Sequence, residues 1–485
     1  MNTPEWTRLD NAALIYPTSA TRNYPAVYRM SVRLAETVDA GILDKALKTV
    51  IRRFPAFRYT LGKGLHWWFL SRIDAEPAVS GPTPLKRFSF RKNGGYLFKV
   101  SACGREIVLD VFHSLTDGTG SSKFLMTLAG EYLRLAKGIA IQYSDKVLDP
   151  SGLPDPAEFA DAFDSFSGRG GELEKDRAAY HISGHKVKNG ALNNFRVVIS
   201  EDSIRRRASA MGCSVTDLLV SLMIDSIQKL RASGQGRRSV IKVSVPVNLR
   251  NIFPHGTLRN FSSYVNLGVD VRGGSLPLDE IVREVSLQKQ LFTTPSRLAS
   301  KVAANVNLED NLLVRCLPRV VKSPVMAYLN RVKGDRFWSQ TLSNLGVIEL
   351  PEAMRPHVES VDFMLGRQLG NSGACACVTC NGRLVLNCTR RIEEYDFEQN
   401  LLDGLHALGI DAELDISRSD VWNRSVLKRS RTENGSVSGS RSAQFALVPF
   451  VMMLSLLALP FTVLSIAAKA TSFRSLGEVG SMLFF

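Results

Sequence analysis

The chain has 485 residues, which is too long for one ordinary hydrophobic core. Of these residues, 45% are hydrophobic and 22% are charged, a globular composition that excludes a disordered chain. A formal net charge of +15 at pH 7 would suit nucleic acid, an anionic membrane or a phosphorylated small molecule. Because the basic residues are scattered among acidic ones, without a zinc-finger or RNA-recognition pattern, we predict no nucleic-acid binding.

The first third of the chain alternates strand-like and helix-like segments. Apolar, β-branched and aromatic runs predict strands at "AALIYP" (12–17), "VYRMSVRL" (27–34), "HWWFL" (66–70) and residues 107–112. Helical spacing of apolar residues predicts a helix from Asp39, as N-cap, to Phe54 before Pro55, and another from about Phe124 to Leu133. The pattern is that of an α/β domain.

Residues 145–192 lose this periodicity and are rich in proline, glycine and charge, which indicates a crossover between two lobes. A second alternating block follows, with predicted strands at 194–200, 239–250, 263–271 and 339–350 and helices that start near Glu201 and Ser214 or cover 278–292 and 396–409. We therefore predict an N-terminal lobe over 1–190, a C-terminal lobe over 191–425 and a ligand-binding cleft between them.

Seven cysteines and an N-terminus without a secretory signal favour a reducing compartment. Four of them flank the hairpin signal Asn381-Gly382, namely Cys375, Cys377, Cys380 and Cys388. Alternation along a strand puts Cys375 and Cys377 on one face and Cys380 on the other, so we interpret them as structural and predict no metal site.

The composition changes again near the C-terminus. Residues 426–444 are polar and of low complexity, which predicts a flexible linker, and 445–468 carry no charge over a length that crosses a bilayer core of about 30 Å. More basic residues precede this segment than follow it, so we predict a cytoplasmic body with a C-terminal membrane anchor and a short tail over 469–485. A docking helix, or a tail without stable structure, is the alternative.

The stretch "VFHSLTDGTG" (111–120) places a histidine, an aspartate and two glycines on a strand-to-helix turn. A neutral His113 imidazole could take a proton from an alcohol or amine at neutral pH. A buried Asp117 would need an arginine partner, and Gly118 would allow close chain approach. Taken alone, this short pattern favours a structural histidine over a catalytic one.

After a strand, "FHSLTDG" resembles the HHxxxDG motif of the CoA-dependent acyltransferase superfamily, which includes chloramphenicol acetyltransferase and peptide-synthetase condensation domains. Three further stretches resemble its bacterial alcohol acetyltransferase branch: "RLDNAALIYP" (8–17), "VPVNLRNIFP" (245–254) and "TLSNLGVIELP" (341–351). Phe112 stands where the motif has its first histidine, a departure that many relatives share.

The resemblance implies two chloramphenicol-acetyltransferase-like α/β sandwich lobes that form a pseudo-dimer around a central cleft. It makes His113 the general base, Asp117 a structural residue beside Gly118, and Arg250 the partner of Asp117. Ser343 and Asn344 become candidate donors to the oxyanion. We expect a monomer that binds no cofactor or metal and uses acyl-CoA, acetyl-CoA first of all, as co-substrate.

The expected reaction moves an acetyl or other acyl group to an alcohol, and a membrane anchor would favour a lipophilic one. Two alternatives remain at this stage. One is amide formation of the condensation type, and the other is an inactive binding or scaffold protein of the same fold.

Overall fold

The structure is a computed structural model that describes residues 4–21, 23–172, 176–187, 192–232, 238–311 and 316–415. Its strands are β1 (Trp6–Arg8), β2 (Val27–Leu34), β3 (Tyr59–Lys63), β4 (Trp68–Arg72), β5 (Phe98–Cys103), β6 (Glu106–Phe112), β7 (Asn193–Ser200), β8 (Val240–Asn248), β9 (Ser262–Asp270), β10 (Gln340–Val347), β11 (Val358–Met364), β12 (Gly373–Cys380), β13 (Arg383–Arg390) and β14 (Ala412–Leu414). Its α-helices are α1 (Ile15–Ser19), α2 (Ala40–Arg53), α3 (Gly118–Lys137), α4 (Glu201–Ala210), α5 (Val215–Ala232), α6 (Leu278–Phe292), α7 (Pro295–Asp310), α8 (Arg319–Lys333) and α9 (Asp396–Ala407). This mixture confirms the predicted α/β class.

Most predicted elements of the first third are present. Helix α2 begins after Asp39, whose carboxylate accepts the backbone N–H of Ile42 at 2.8 Å, and it ends before Pro55. The predicted strand at 66–70 is displaced to β4.

The predicted strand at 12–17 is wrong. Ala12–Leu14 form a 3-10 helix, and α1 follows directly. The side chain of Asp10 accepts the backbone N–H of Ala13 at 2.8 Å, and this contact turns the chain into a helical path at the start of the apolar run.

The strands form three sheets in the described part of the chain. A four-stranded antiparallel sheet has the order β11-β2-β6-β5, and a seven-stranded mixed sheet has the order β14-β7-β13-β12-β10-β8-β9. Strands β1, β4 and β3 form the third sheet. Since β6 lies inside the four-stranded sheet, the turn after it starts from a rigid strand.

Two large hydrophobic cores accompany the two larger sheets. The first surrounds α2, α3 and the four-stranded sheet, and the second fills the space around α5, α9 and the seven-stranded sheet. Strand β11 belongs to the first sheet although it lies late in the chain, where Val361 pairs with Val32. The lobe boundary at residue 190 therefore stays a prediction, and the later part of the chain completes the earlier sheet.

The hairpin of β12 and β13 turns at Asn381 and Gly382, both with positive φ (+49° and +74°). Cys375 and Cys377 point into the second core and Cys380 into the first, as strand alternation predicts. The Sγ atoms of Cys375 and Cys388 lie 3.1 Å apart across the hairpin.

The predicted linker, membrane segment and tail, together with residues 416–425 of the C-terminal lobe, lie outside the described residues. Among the helices that are described, none is by itself both long enough and apolar enough to cross a membrane, and the bent pair α4 and α5 meets the length and composition criteria only when the two are taken together.

Candidate active site

The turn after β6 is held by hydrogen bonds from both sides. The backbone N–H of His113 donates to the Ala26 carbonyl at 2.9 Å, which extends the pairing of β2 and β6 by one residue. The Tyr28 hydroxyl lies 3.0 Å from the carbonyl oxygens of both Thr116 and Asp117. The position of His113 is thus determined by the neighbouring strand.

Asp117 is the N-cap of α3, and its carboxylate makes its hydrogen bonds to groups other than the imidazole. Its Oδ1 accepts the backbone N–H groups of Thr119 and Gly120, so the side chain is the helix N-cap. Its Oδ2 accepts from Arg250 Nη1 at 2.7 Å and from the Phe261 backbone N–H at 3.0 Å. Both charged side chains are about nine-tenths buried, which makes this a buried, hydrogen-bonded ion pair.

Arg250 also holds the loop over 257–261. Its guanidinium donates to the carbonyl oxygens of Thr257 at 2.9 Å, of Phe261 at 3.4 Å and of Arg259. Because one guanidinium group donates to three backbone carbonyls, it fixes the loop that carries Asn260.

Asn260 contacts His113 side chain to side chain. The His113 Nδ1 lies 3.1 Å from Asn260 Oδ1, and Asn260 Nδ2 donates to Asp10 Oδ2 at 3.3 Å. Because Arg259 Nε, a donor, also lies 3.6 Å from Asp10 Oδ2, we assign that oxygen as an acceptor, and the amide oxygen of Asn260 then faces the imidazole. This assignment puts a proton on Nδ1 and leaves the lone pair of Nε2 free.

Burial shifts the pKa of His113 and of Asp10, the two ends of this chain of contacts, in opposite directions. Burial lowers the pKa of His113 below its usual value, against the opposing effects of its own backbone carbonyl, Asp117 and Asn260, so the imidazole is neutral at pH 7. Burial raises the pKa of Asp10 to about 7, and the charge of Arg259, whose Nε is 3.6 Å away, opposes this. Tyr16 stacks on the imidazole, with ring centroids 4.4 Å apart and planes 12° apart, and limits its rotation.

His113 lines a cavity of about 210 Å³. Asp117, Gly118, Ser343 and Asn344 line the same cavity, so the predicted site residues other than Arg250 meet at its wall. A Cβ on Gly118 would lie 2.4 Å from Leu345 Cδ2, which shows how closely the turn approaches β10. The turn and β10 form two sides of one site.

The two candidate oxyanion donors differ in their contacts. The Asn344 amide donates to Thr216 Oγ1 at 3.1 Å and accepts the Gly346 N–H at 2.8 Å, so it is engaged in holding the end of β10. The Ser343 hydroxyl makes no hydrogen bond to any residue in the described ranges. Ser343 is therefore the freer donor.

Asn260 and Asp10 are the site residues that sequence reasoning missed. Asp10 lies in the quoted stretch "RLDNAALIYP", but no spacing connects it with His113, and Asn260 stands in an irregular loop. Among the described residues, no group of three or more histidine, cysteine, aspartate or glutamate side chains could hold a metal ion.

No protein-family model and no curated protein matches the chain. Among solved structures, it is similar to polyketide synthase associated protein 5 from Mycobacterium tuberculosis, with 12% identity, a TM-score of 0.53 and coverage of 82% of this chain and 96% of that one. It is also similar to the trichothecene 15-O-acetyltransferase from Fusarium sporotrichioides, with 12% identity, a TM-score of 0.52 and coverage of 83% and 96%. A third similar structure is the starter condensation domain of rhizomide synthetase in complex with C8-CoA and Leu-SNAC, with 12% identity, a TM-score of 0.50 and coverage of 83% of this chain and 94% of that one. At these identities the likeness concerns the fold, and the chain has the fold of CoA-dependent acyltransferases and condensation domains.

Proposed function

We propose that this protein transfers an acyl group from acyl-CoA to an alcohol, with His113 as general base. The observation that carries the proposal is a neutral imidazole in a cavity wall whose Nδ1 faces Asn260 Oδ1, which leaves Nε2 to accept a proton. The fold supports it, since an O-acetyltransferase and a condensation domain bound to C8-CoA share this fold.

In the proposed reaction, Nε2 takes the proton of the acceptor hydroxyl while its oxygen forms a bond to the thioester carbonyl carbon. The carbonyl oxygen becomes an oxyanion. When the tetrahedral intermediate breaks its carbon–sulfur bond, the CoA thiolate leaves and takes the proton from the imidazolium. Atoms and charges balance without a covalent enzyme intermediate.

The oxyanion needs a donor placed before the reaction begins. The Ser343 hydroxyl is free to donate, and Asn344 holds the strand that carries it. One such donor contributes about 3 to 4 kcal/mol of transition-state stabilisation in acyl-transfer enzymes. Asp117 and Arg250 act indirectly, because they fix the turn and the Asn260 loop.

The cavity wall supports an acceptor with an apolar body. Besides the polar groups, it contains aromatic and aliphatic side chains, among them Tyr16, Val27, Trp338 and Phe363. A hydroxyl on such a body can reach Nε2 while the remainder displaces water from apolar surface.

The test is the release of free thiol from acetyl-CoA by the full-length chain, measured across short and long alcohols and amines. We expect alcohol-dependent release that falls about 10²- to 10⁴-fold in His113→Ala. His185→Ala is the matched control, because its side chain is 88% exposed and pairs with Glu394 away from the cavity.

If thiol is released only with amines, the reaction forms an amide, and the proposed ester formation is wrong. Release by neither acceptor class, in a protein with its native circular dichroism, would reject the proposal.

A further inference from the structure

The cavity of His113 has a positively charged end. Arg367, in the loop after β11, lines this cavity, yet it forms no hydrogen bond or ion pair with any residue that the structure describes. Its Nε is shielded from solvent without a partner, and burial lowers the pKa of its guanidinium. A cation without an ion-pair partner in a cavity wall costs free energy unless a ligand supplies the opposite charge.

A second cavity, of about 260 Å³, adjoins the first. The two have Asp335 and Leu369 in common, and the second is also lined by His181, Arg238 and Arg336. The Arg238 Nη1 donates to the Ala179 carbonyl at 2.9 Å, while the Ala179 N–H donates to the Arg336 carbonyl at 2.9 Å. One short stretch of backbone therefore holds both arginines at this cavity.

A fourth arginine fixes the segment between the two cavities. Arg391 donates to the carbonyl oxygens of Leu369, at 3.1 Å, and Gly370. Asp335 accepts the backbone N–H groups of Gly370 and Asn371 and forms no ion pair within the described ranges. Three arginines, Arg367, Arg238 and Arg336, thus line the two cavities, whose shared carboxylate is Asp335, and this end keeps a net positive charge.

We infer that this end of the cavity binds the phosphate groups of the thioester donor, with Arg367 nearest the reaction site and Arg238 and Arg336 beyond it. Guanidinium groups hold phosphate oxygens through charge-assisted, often paired hydrogen bonds. A nucleotide tail in the second cavity would leave the thioester to extend along the first toward His113. The inference rests on the proposed function for the identity of the donor.

The first experiment is calorimetric binding of CoA, dephospho-CoA and pantetheine to the full-length chain, because it needs no turnover. We expect Arg367→Met to weaken CoA binding about tenfold or more and to leave pantetheine binding unchanged. Arg336→Ala, on the exposed rim, should also weaken CoA binding selectively. Arg383→Met is the matched control, because Arg383 is an exposed residue of the β13 hairpin whose side chain has no hydrogen-bond or ion-pair partner among the described residues.

Equal CoA affinity in wild type and Arg367→Met, or an equal loss for CoA and pantetheine, would overturn the inference. If CoA binding is unchanged while the KM of a carboxylated or phosphorylated acceptor rises, the anion belongs to the acceptor and the inference is again wrong. Arg367-dependent CoA binding without acyl transfer would uphold the inference and reject the proposed function.

Discussion

His113 and Asn260 are 147 positions apart in the chain and meet through Nδ1 and Oδ1 at 3.1 Å. The amide oxygen is available to the imidazole because Asp10 occupies the amide nitrogen. The two contacts together select the tautomer that a general base needs.

Asn260→Leu keeps the side-chain volume and removes the acceptor of Nδ1–H. We expect kcat to fall about tenfold or more, because the imidazole loses a hydrogen bond that orients it, while the KM for acetyl-CoA stays nearly constant. Nitrogen-15 NMR of the imidazole should show a mixed tautomer in the variant and a single one in the wild type. If the variant keeps the wild-type kcat and a single tautomer, Asn260 does not orient the imidazole and has no part in the mechanism.

The pH dependence of kcat/KM should have an acidic limb below pH 6.5. Only neutral imidazole accepts the proton, and burial lowers the pKa of His113, so activity is retained at a lower pH than an exposed histidine would permit. The measurement is a pH–rate profile of wild type and Asp10→Asn. The limb should persist in the variant, and its disappearance would identify Asp10 as the titrating group instead.

Asp117→Asn should destabilise the fold strongly, because it leaves the Arg250 charge buried without its partner. Breaking a buried pair in this way costs about 3 to 5 kcal/mol of the free energy of unfolding. The Arg283–Asp279 pair, with side chains 69% and 71% exposed, provides the control, and Asp279→Asn should cost less than about 1 kcal/mol. Urea unfolding midpoints of the two variants provide the comparison. Equal shifts would show that the buried pair contributes no more to the free energy of unfolding than the exposed pair.

Alanine at Gly118 and at Gly120 should have different effects. At Gly118 the new methyl meets the flexible end of Leu345, so the side chain can move and the change should appear mainly in kcat/KM. At Gly120 it would lie 2.3 Å from the Leu258 backbone carbonyl and 2.1 Å from Thr116 Oγ1, so the loop must shift. We expect Gly120→Ala to lower the melting temperature more than Gly118→Ala does, with Gly81→Ala, which has open space, as control. The reverse order would contradict the packing at the turn.

The elements predicted well from sequence are those whose local pattern agrees with their environment. Helix α6 coincides with the predicted stretch 278–292, since Ile281, Val282 and Val285 face the second core at helical spacing. Strand β11 is absent from the predicted elements because Asp362 interrupts its apolar pattern. That carboxylate is buried against Arg196 of β7 at 2.6 Å, a partner that no local pattern reveals.

The same distinction, between local pattern and long-range contact, applies to the residues of the site. The turn at His113 could be predicted because strand, histidine, aspartate and glycines are consecutive in the chain. Asn260 could not, because its position depends on three carbonyl contacts of Arg250 with the surrounding loop. Long-range hydrogen bonds set that geometry, and they leave no periodicity in the sequence.

The pairing of β11 with β2 has a consequence for synthesis on the ribosome. The four-stranded sheet lacks an edge strand until β11 has been translated, roughly 330 residues after β2, which takes on the order of 15 to 65 seconds at ordinary elongation rates. During this interval the nascent chain presents one unpaired edge of β2, which is able to pair with another chain. We therefore expect that edge to need protection by chaperones until translation passes Met364.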